Sequence, residues 1–150
     1  MKNIFHKEIV NEIESRIHGL QPKQQATWGK MSVAQMLAHC NVTYELVYEN
    51  KHPKPNAFVK TMLKWFVKNT VVSESPYKQG SPTAAVFIIK DEKEFDVEKK
   101  RLINHIHKTQ TLGESHFEKK ESHSFGVLST TEWNNMFYKH LDHHLTQFGV

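Results

Sequence analysis

One cysteine in 150 residues leaves no partner for an internal disulfide. The fold must therefore rest on its core, and a reducing, cytoplasmic compartment is the expected setting. Glycine is sparse, and none of the six glycines stands in a phosphate-binding loop or a dinucleotide fingerprint, which removes those nucleotide sites. No Ser-His-Asp spacing of a hydrolase triad is present either. No apolar run approaches the ~18 residues of a membrane span. The opening stretch MKNIFHKEIVNEIESRIHG carries acidic residues throughout, so it does not read as a signal peptide. There is no internal repeat, no low-complexity tract and no aromatic–basic nucleic-acid motif, so nucleic acid is not an expected partner.

What is present suits a globular chain, with 38% hydrophobic and 24% charged residues. A chain of this length reads as one domain over residues 1–150 and can bury about 68–70% of its unfolded surface. The formal charge of +4 permits an acidic partner without demanding one. The unusual feature is eleven histidines.

Helical periodicity appears first at Ile9, Val10, Ile13, Ile17 and Leu20, which predicts a helix over 3–18 ended by Gly19 and Pro22. Ser32 followed by Gln35 is a capping box, and a second helix runs over 32–50 with a broad apolar arc flanked by His39. KHPKPN breaks the chain. Residues 57–69 then read as a shorter helix with Lys60, Lys64 and Lys68 on one face and Phe58, Met62, Trp65 and Phe66 opposite. The plain expectation is an apolar face in the core and a solvated lysine face. Such a cationic helix can also meet a membrane surface or an acidic partner. AVFII at 85–89 reads as an extended packed segment and is the one place where a β bridge is expected. Residues 91–108 suit a helix buried through Phe95, Leu102 and Ile106, with His105 and His107 facing solvent. TLGESHFEKKESHSFG reads as loop. Ser129 with Glu132 is a second capping box and opens a last helix, 129–148. Helices over 3–18, 32–50, 91–108 and 129–148, with one long crossover carrying an extra short helix, predict an all-α four-helix bundle whose second and third long helices run the same way.

In the last helix, His140 and His144 are spaced i, i+4 and share a face. Trp133, Phe137, His140, Leu141, His144, Gln147 and Phe148 fall in one arc roughly 120° wide, while His143 lies about 80° to one side. Two imidazoles on a core-facing stripe need partners, because unpaired buried polar groups are costly. Neutral imidazole is the commonest protein metal ligand, so a divalent ion is one answer. Waters together with Gln35, Tyr44 or Gln147 are the other. The sequence HLDHH lacks the glutamate of a metalloprotease base.

WGKMSVAQMLAHC and EWNNMFYKHLDHHLTQFG together resemble the DinB-like superfamily, and more narrowly a branch with a C-terminal HHLxQFG motif. The resemblance spans essentially the whole chain, specific at its two ends and loose between. It implies an up-down-down-up bundle with a divalent metal between helices, held at His39, His140 and His144, with Gln147 following the pair. It also implies chemistry with low-molecular-weight thiols, since members of known activity include thiol-dependent transferases and isomerases. This chain has Ser122, His123 and Ser124 where the branch often has a His-Pro pair, so no role passes to His123.

The leading expectation is a metal-dependent enzyme, a hydrolase or thiol transferase acting on a small molecule, with three histidines leaving open metal positions. Zinc or nickel is the foremost ion, although all-imidazole sites also suit copper and iron. Gln35, His143, Gln147, Trp133 and Phe137 are the expected supporting and pocket residues, with Phe148 as a further wall. Cys40, about 100° around the helix from His39, reads as a buried small residue. Glu45 and Asp142 are candidate acid–base groups. A homodimer is compatible with the sequence. The alternatives are a non-catalytic metal-binding or stress-associated bundle, and a membrane-surface or acidic-partner binder acting through Lys60, Lys64 and Lys68.

Overall fold

A computed structural model describes residues 1–150. Six helices carry the chain: α1 Lys7–Gly19, α2 Val33–Tyr48, α3 Ala57–Phe66, α4 Lys68–Val72, α5 Phe95–Phe117 and α6 Thr130–Gln147. A 3-10 turn at Ala85–Phe87 and an antiparallel hairpin of β1 Glu121–Ser122 with β2 Gly126–Val127 complete it. Side-chain pairs fix the helix directions. Asn134 of α6 accepts from the Ile4 amide while Arg16 reaches Asp142, so α1 and α6 run together. Arg101 meets Glu45 and Thr109 meets Tyr48, so α5 runs with α2. His140 meets His39 and Phe137 stacks on Tyr44, so α6 opposes α2. The result is the expected all-α, up-down-down-up four-helix bundle, with α3 and α4 in the crossover.

Both helices that carry the histidine pattern start at complete capping boxes, Ser32 with Gln35 and Ser129 with Glu132. Each box satisfies two backbone donors that a helix start would otherwise leave free. α2 is buried around most of its circumference, as its broad apolar arc requires, because it touches α5, α6 and the turn at 85–87. The core is an aromatic stack. Tyr44 and Phe137 lie 5.1 Å apart and nearly parallel, Phe137 and Trp133 lie 5.6 Å apart, and Phe117 closes on both.

Four departures from the sequence reading have physical causes. α1 begins at Lys7 rather than residue 3, because Ile4 and Phe5 are drawn into the core as extended chain. α5 runs from Phe95 to Phe117, well past 108, through residues expected to be loop. Gly113 breaks its geometry at φ 69°, a conformation that costs glycine little, and the resumed turn seats Phe117 fully inside. The residues at 85–89 form a tight turn without a bridge, and the chain's strand pairing lies at 121–127. His105 is half-buried, bonded to Asn41 at 2.9 Å and stacked on Tyr44, whereas His107 is exposed as expected.

The crossover helix overturns its simple reading. It splits at Val67, and no residue of α3 is buried. Lys60 turns inward to Glu121 at 2.5 Å, and Lys68, just beyond α3, turns to Glu132 at 2.7 Å. Phe58, Trp65 and Phe66 stand 75%, 76% and 70% exposed. The lysine face is thus partly consumed, and the aromatic face is the one in solvent.

Candidate metal centre

His39 comes from the middle of α2, and His140 and His144 come from successive turns of α6. The antiparallel packing of these helices brings one ligand-capable atom of each histidine within 4.8 Å of the others. The His39 and His140 Nε2 atoms are 2.9 Å apart. Two ~2.0–2.1 Å metal–nitrogen bonds at a tetrahedral angle hold their nitrogens about 3.3 Å apart, so the cluster lies within a small adjustment of a ligand set.

The outer nitrogens decide the tautomers. His39 Nδ1 lies 2.8 Å from the Phe87 carbonyl oxygen, an acceptor only, so Nδ1 carries the proton. Its Nε2 therefore offers a lone pair. His144 Nδ1 lies 2.8 Å from Gln147 Oε1. The Gln147 amide cannot be reversed, because its Nε2 donates to the Trp28 carbonyl at 2.7 Å. His144 thus also donates from Nδ1 and presents a lone pair at Nε2. His140 Nδ1 meets the Thr43 hydroxyl at 2.9 Å, which can donate or accept. With Thr43 accepting, all three inward nitrogens are lone pairs. With Thr43 donating, His140 Nε2 carries a proton toward His39. A ring whose second nitrogen is held by an oxygen partner is the usual arrangement of a metal-ligating histidine, and all three have one.

Electrostatics favours neutral rings. Burial pushes His144 down to about 3, aided by His39 nearby. Burial holds His140 well below the usual histidine range, with His144 and His39 adding to it. Burial also lowers His39, against the opposing pull of the Phe87 carbonyl. Neutral imidazoles are the form that binds metal.

The cluster opens into a cavity of about 560 Å³, within the usual range for small-molecule sites. Trp28, Tyr77 and Phe87 line it, with Leu63 and Val67 of the crossover closing one side. His143 sits at its edge against Trp28 and Tyr77, as its displaced helical position predicts. Trp133 lines the cavity, whereas Phe137 lies behind in the aromatic stack and the fully buried Phe148 also lies outside the wall. Gln35 is spent on its capping box and the Asp91 carbonyl, away from the histidines.

No aspartate or glutamate lines the cavity. Burial alone would raise Glu45, but Lys51, Arg101 and His52 hold it down to about 2, so it is a buried ion-pair centre. Asp142 pairs with Arg16 at 2.7 Å. Cys40 is buried, and burial pushes its thiol up, away from reactivity.

The residues missed from sequence are Thr43, Tyr77 and Phe87. Thr43 was accessible, one helical turn after His39. Tyr77 and Phe87 come from the irregular crossover and carried no periodic signal. Trp28 and Gly29 were visible only as part of a motif. Gly29 has φ 84°, and a Cβ there would stand 2.6 Å from Gln147 Nε2, so the glycine admits the amide that orients His144.

The sequence matches a family described as a protein of unknown function (DUF1569) over residues 5–149. The chain belongs to this family. The match takes in both capping boxes and all three clustered histidines of this DUF1569 member. No curated protein and no solved structure matches it. The family and the bundle together are broadly consistent with a DinB-like arrangement.

Proposed function

We propose that this protein is a metal-dependent enzyme of the hydrolase or thiol-transferase type, with His39, His140 and His144 holding one divalent ion, zinc or nickel foremost. The observation that carries this reading is the convergence of three neutral imidazoles, each anchored on its outer nitrogen, at the wall of an apolar cavity. A bound ion would lower the pKa of its water toward ~7 or take a thiolate directly. The chain's own residues would do the rest. Phe87 and Gln147 hold His39 and His144 with a lone pair turned inward, Thr43 would accept from His140 Nδ1 once the inner nitrogen ligates an ion, and Trp28, Tyr77 and Phe87 exclude water around a small substrate. His143 stands at the edge, where burial lowers its affinity for a proton. The wall holds no carboxylate, and a low-molecular-weight thiol is the favoured co-substrate on the resemblance to the DinB-like superfamily. The narrower kinship with the HHLxQFG branch of the DinB-like superfamily and a cytoplasmic setting belong to the same proposal.

That absence of a carboxylate favours a second reading, a non-catalytic metal-binding or stress-associated bundle. Metal analysis of untagged protein, followed by screening of the loaded protein against ester and thiol-acceptor panels, separates the two. The enzyme reading expects about one ion per chain and turnover that disappears in His144→Ala. Stoichiometric metal with no turnover on either panel leaves the second reading.

A further inference from the structure

The outer face of α3 is unexplained by the histidine centre. Phe58, Met62, Trp65 and Phe66 fall within about 100° of one another on the helix, and all four are exposed, the three aromatics by 70% or more. Exposed apolar patches rimmed by polar groups mark interaction sites. The charge around them has one sign. Between Lys51 and Val72 there are five lysines and no aspartate or glutamate. Lys60 and Lys68 are paired with Glu121 and Glu132, and Lys51 with Glu45 and Glu49. Lys54 and Lys64 are exposed and have no ion-pair partner, one just before α3 and one on it.

We propose that α3 is a docking helix for an anionic lipid bilayer, with Phe58, Met62, Trp65 and Phe66 entering the interface and Lys54 and Lys64 meeting lipid phosphates. An interfacial helix of this kind inserts its aromatic face shallowly and draws further affinity from flanking cations. The contact surface is the aromatic face, since Lys60 and Lys68 are turned toward the bundle, while Lys64 stands exposed at its flank, about 100° around the helix from Trp65. A second copy fits the patch less well. Three aromatics, each about 150–250 Å² in full and three-quarters exposed, offer on the order of 400 Å², about half of the ~800 Å² per partner in a standard interface. A two-fold contact would also set the same cationic segment against itself. The cavity agrees with the placement. Leu63 and Val67, on the inner side of this segment, line it, and its wall residues Val86 and Ile88 are themselves 37% and 50% exposed.

The test is co-sedimentation of the full chain with vesicles of 70:30 phosphatidylcholine:phosphatidylglycerol and of phosphatidylcholine alone, with quenching by acyl-brominated lipid. Partition into the anionic vesicles should exceed that into neutral ones at least tenfold. Quenching seen in the wild type should fall in Trp65→Phe. Phe58→Ser with Trp65→Ser should lower partition at least tenfold while circular dichroism stays unchanged, and Lys54→Glu with Lys64→Glu should lower it severalfold. Three results would overturn the proposal. One is no binding to the anionic vesicles. Another is undiminished binding of the Phe58→Ser, Trp65→Ser protein, which would assign attraction to lysines alone and point to a soluble acidic partner. The last is a dimer in gel filtration that the same double variant dissociates.

Discussion

Gln147 fixes a ring through a chain of single atoms. Its Nε2 donates to the Trp28 carbonyl, its Oε1 accepts from the His144 Nδ1–H, and Gly29 leaves room for the amide. If the cluster holds an ion, Gln147→Leu weakens binding about 10–100-fold, the usual loss for such a supporting partner, and Gly29→Ala does nearly as much. His39→Ala, His140→Ala and His144→Ala each remove one of three ligands and should empty the site, while His143→Ala leaves it filled. Competition against a chromogenic chelator ranks these variants. His143→Ala emptying the site with His140→Ala sparing it would show the wrong ligand pair. pH acts in the same place. Because burial lowers all three histidines from 6.5, the unfolded chain binds more protons than the folded one below that value. Their contribution is intact above pH 6.5 and is lost progressively as pH falls below it, for His144 down to about 3, at up to about 1.4 kcal/mol per histidine per pH unit. Denaturant titrations of metal-free protein from pH 7.5 to 5 should show stability falling with acidification, and a flat profile would contradict neutral burial. The i, i+4 spacing made His140 and His144 readable from sequence, and the helical arc together with the family resemblance made Gln147 readable. Phe87 and Tyr77 were not, because their positions depend on how the crossover folds back.

Elements were legible where local chemistry and burial agreed. The two capping boxes and the four long helices follow from hydrogen-bond need and apolar period. Ser129→Ala should cost about 1 kcal/mol, the usual loss of a cap, readable in thermal melts. Where one contact outranks the local pattern, the sequence misleads. α5 passes Gly113 because Phe117 gains a fully buried place, so Gly113→Ala, forced to φ 69°, should destabilise the end of α5 first. Hydrogen exchange there, with no change at α2, checks this. α3 misled differently, since its period was correct but its orientation was set by Glu121 and Glu132, far along the chain. The α2–α5 pairing rests on Glu45, whose depressed carboxyl lends stability that is present above its ordinary 4.5 and lost as pH falls toward about 2. Glu45→Gln should cost about 1–3 kcal/mol at pH 7, because Arg101 and His52 lose a charged partner.

For the whole molecule, the long crossover makes α2 and α5 parallel and sets α6 against both. Circular dichroism should be predominantly helical. Excess zinc or nickel at 100 times its dissociation constant should stabilise the fold by about 2.7 kcal/mol, several degrees in melting temperature for a chain of this size. An unchanged melt would mean that the histidines bind nothing. The separation of the cluster along the chain has a kinetic side. His39 and His140 are 101 residues apart in sequence, and contacts that close so long a loop come late in folding. Neither helix alone carries all three imidazoles, so a half-folded chain offers an ion at most the His140, His144 pair. Ion capture would then be the closing event of folding, and its rate would report native α2–α6 docking rather than diffusion of the ion. In stopped-flow refolding with a fluorescent metal indicator, uptake should keep the same rate constant as the ion concentration is raised tenfold.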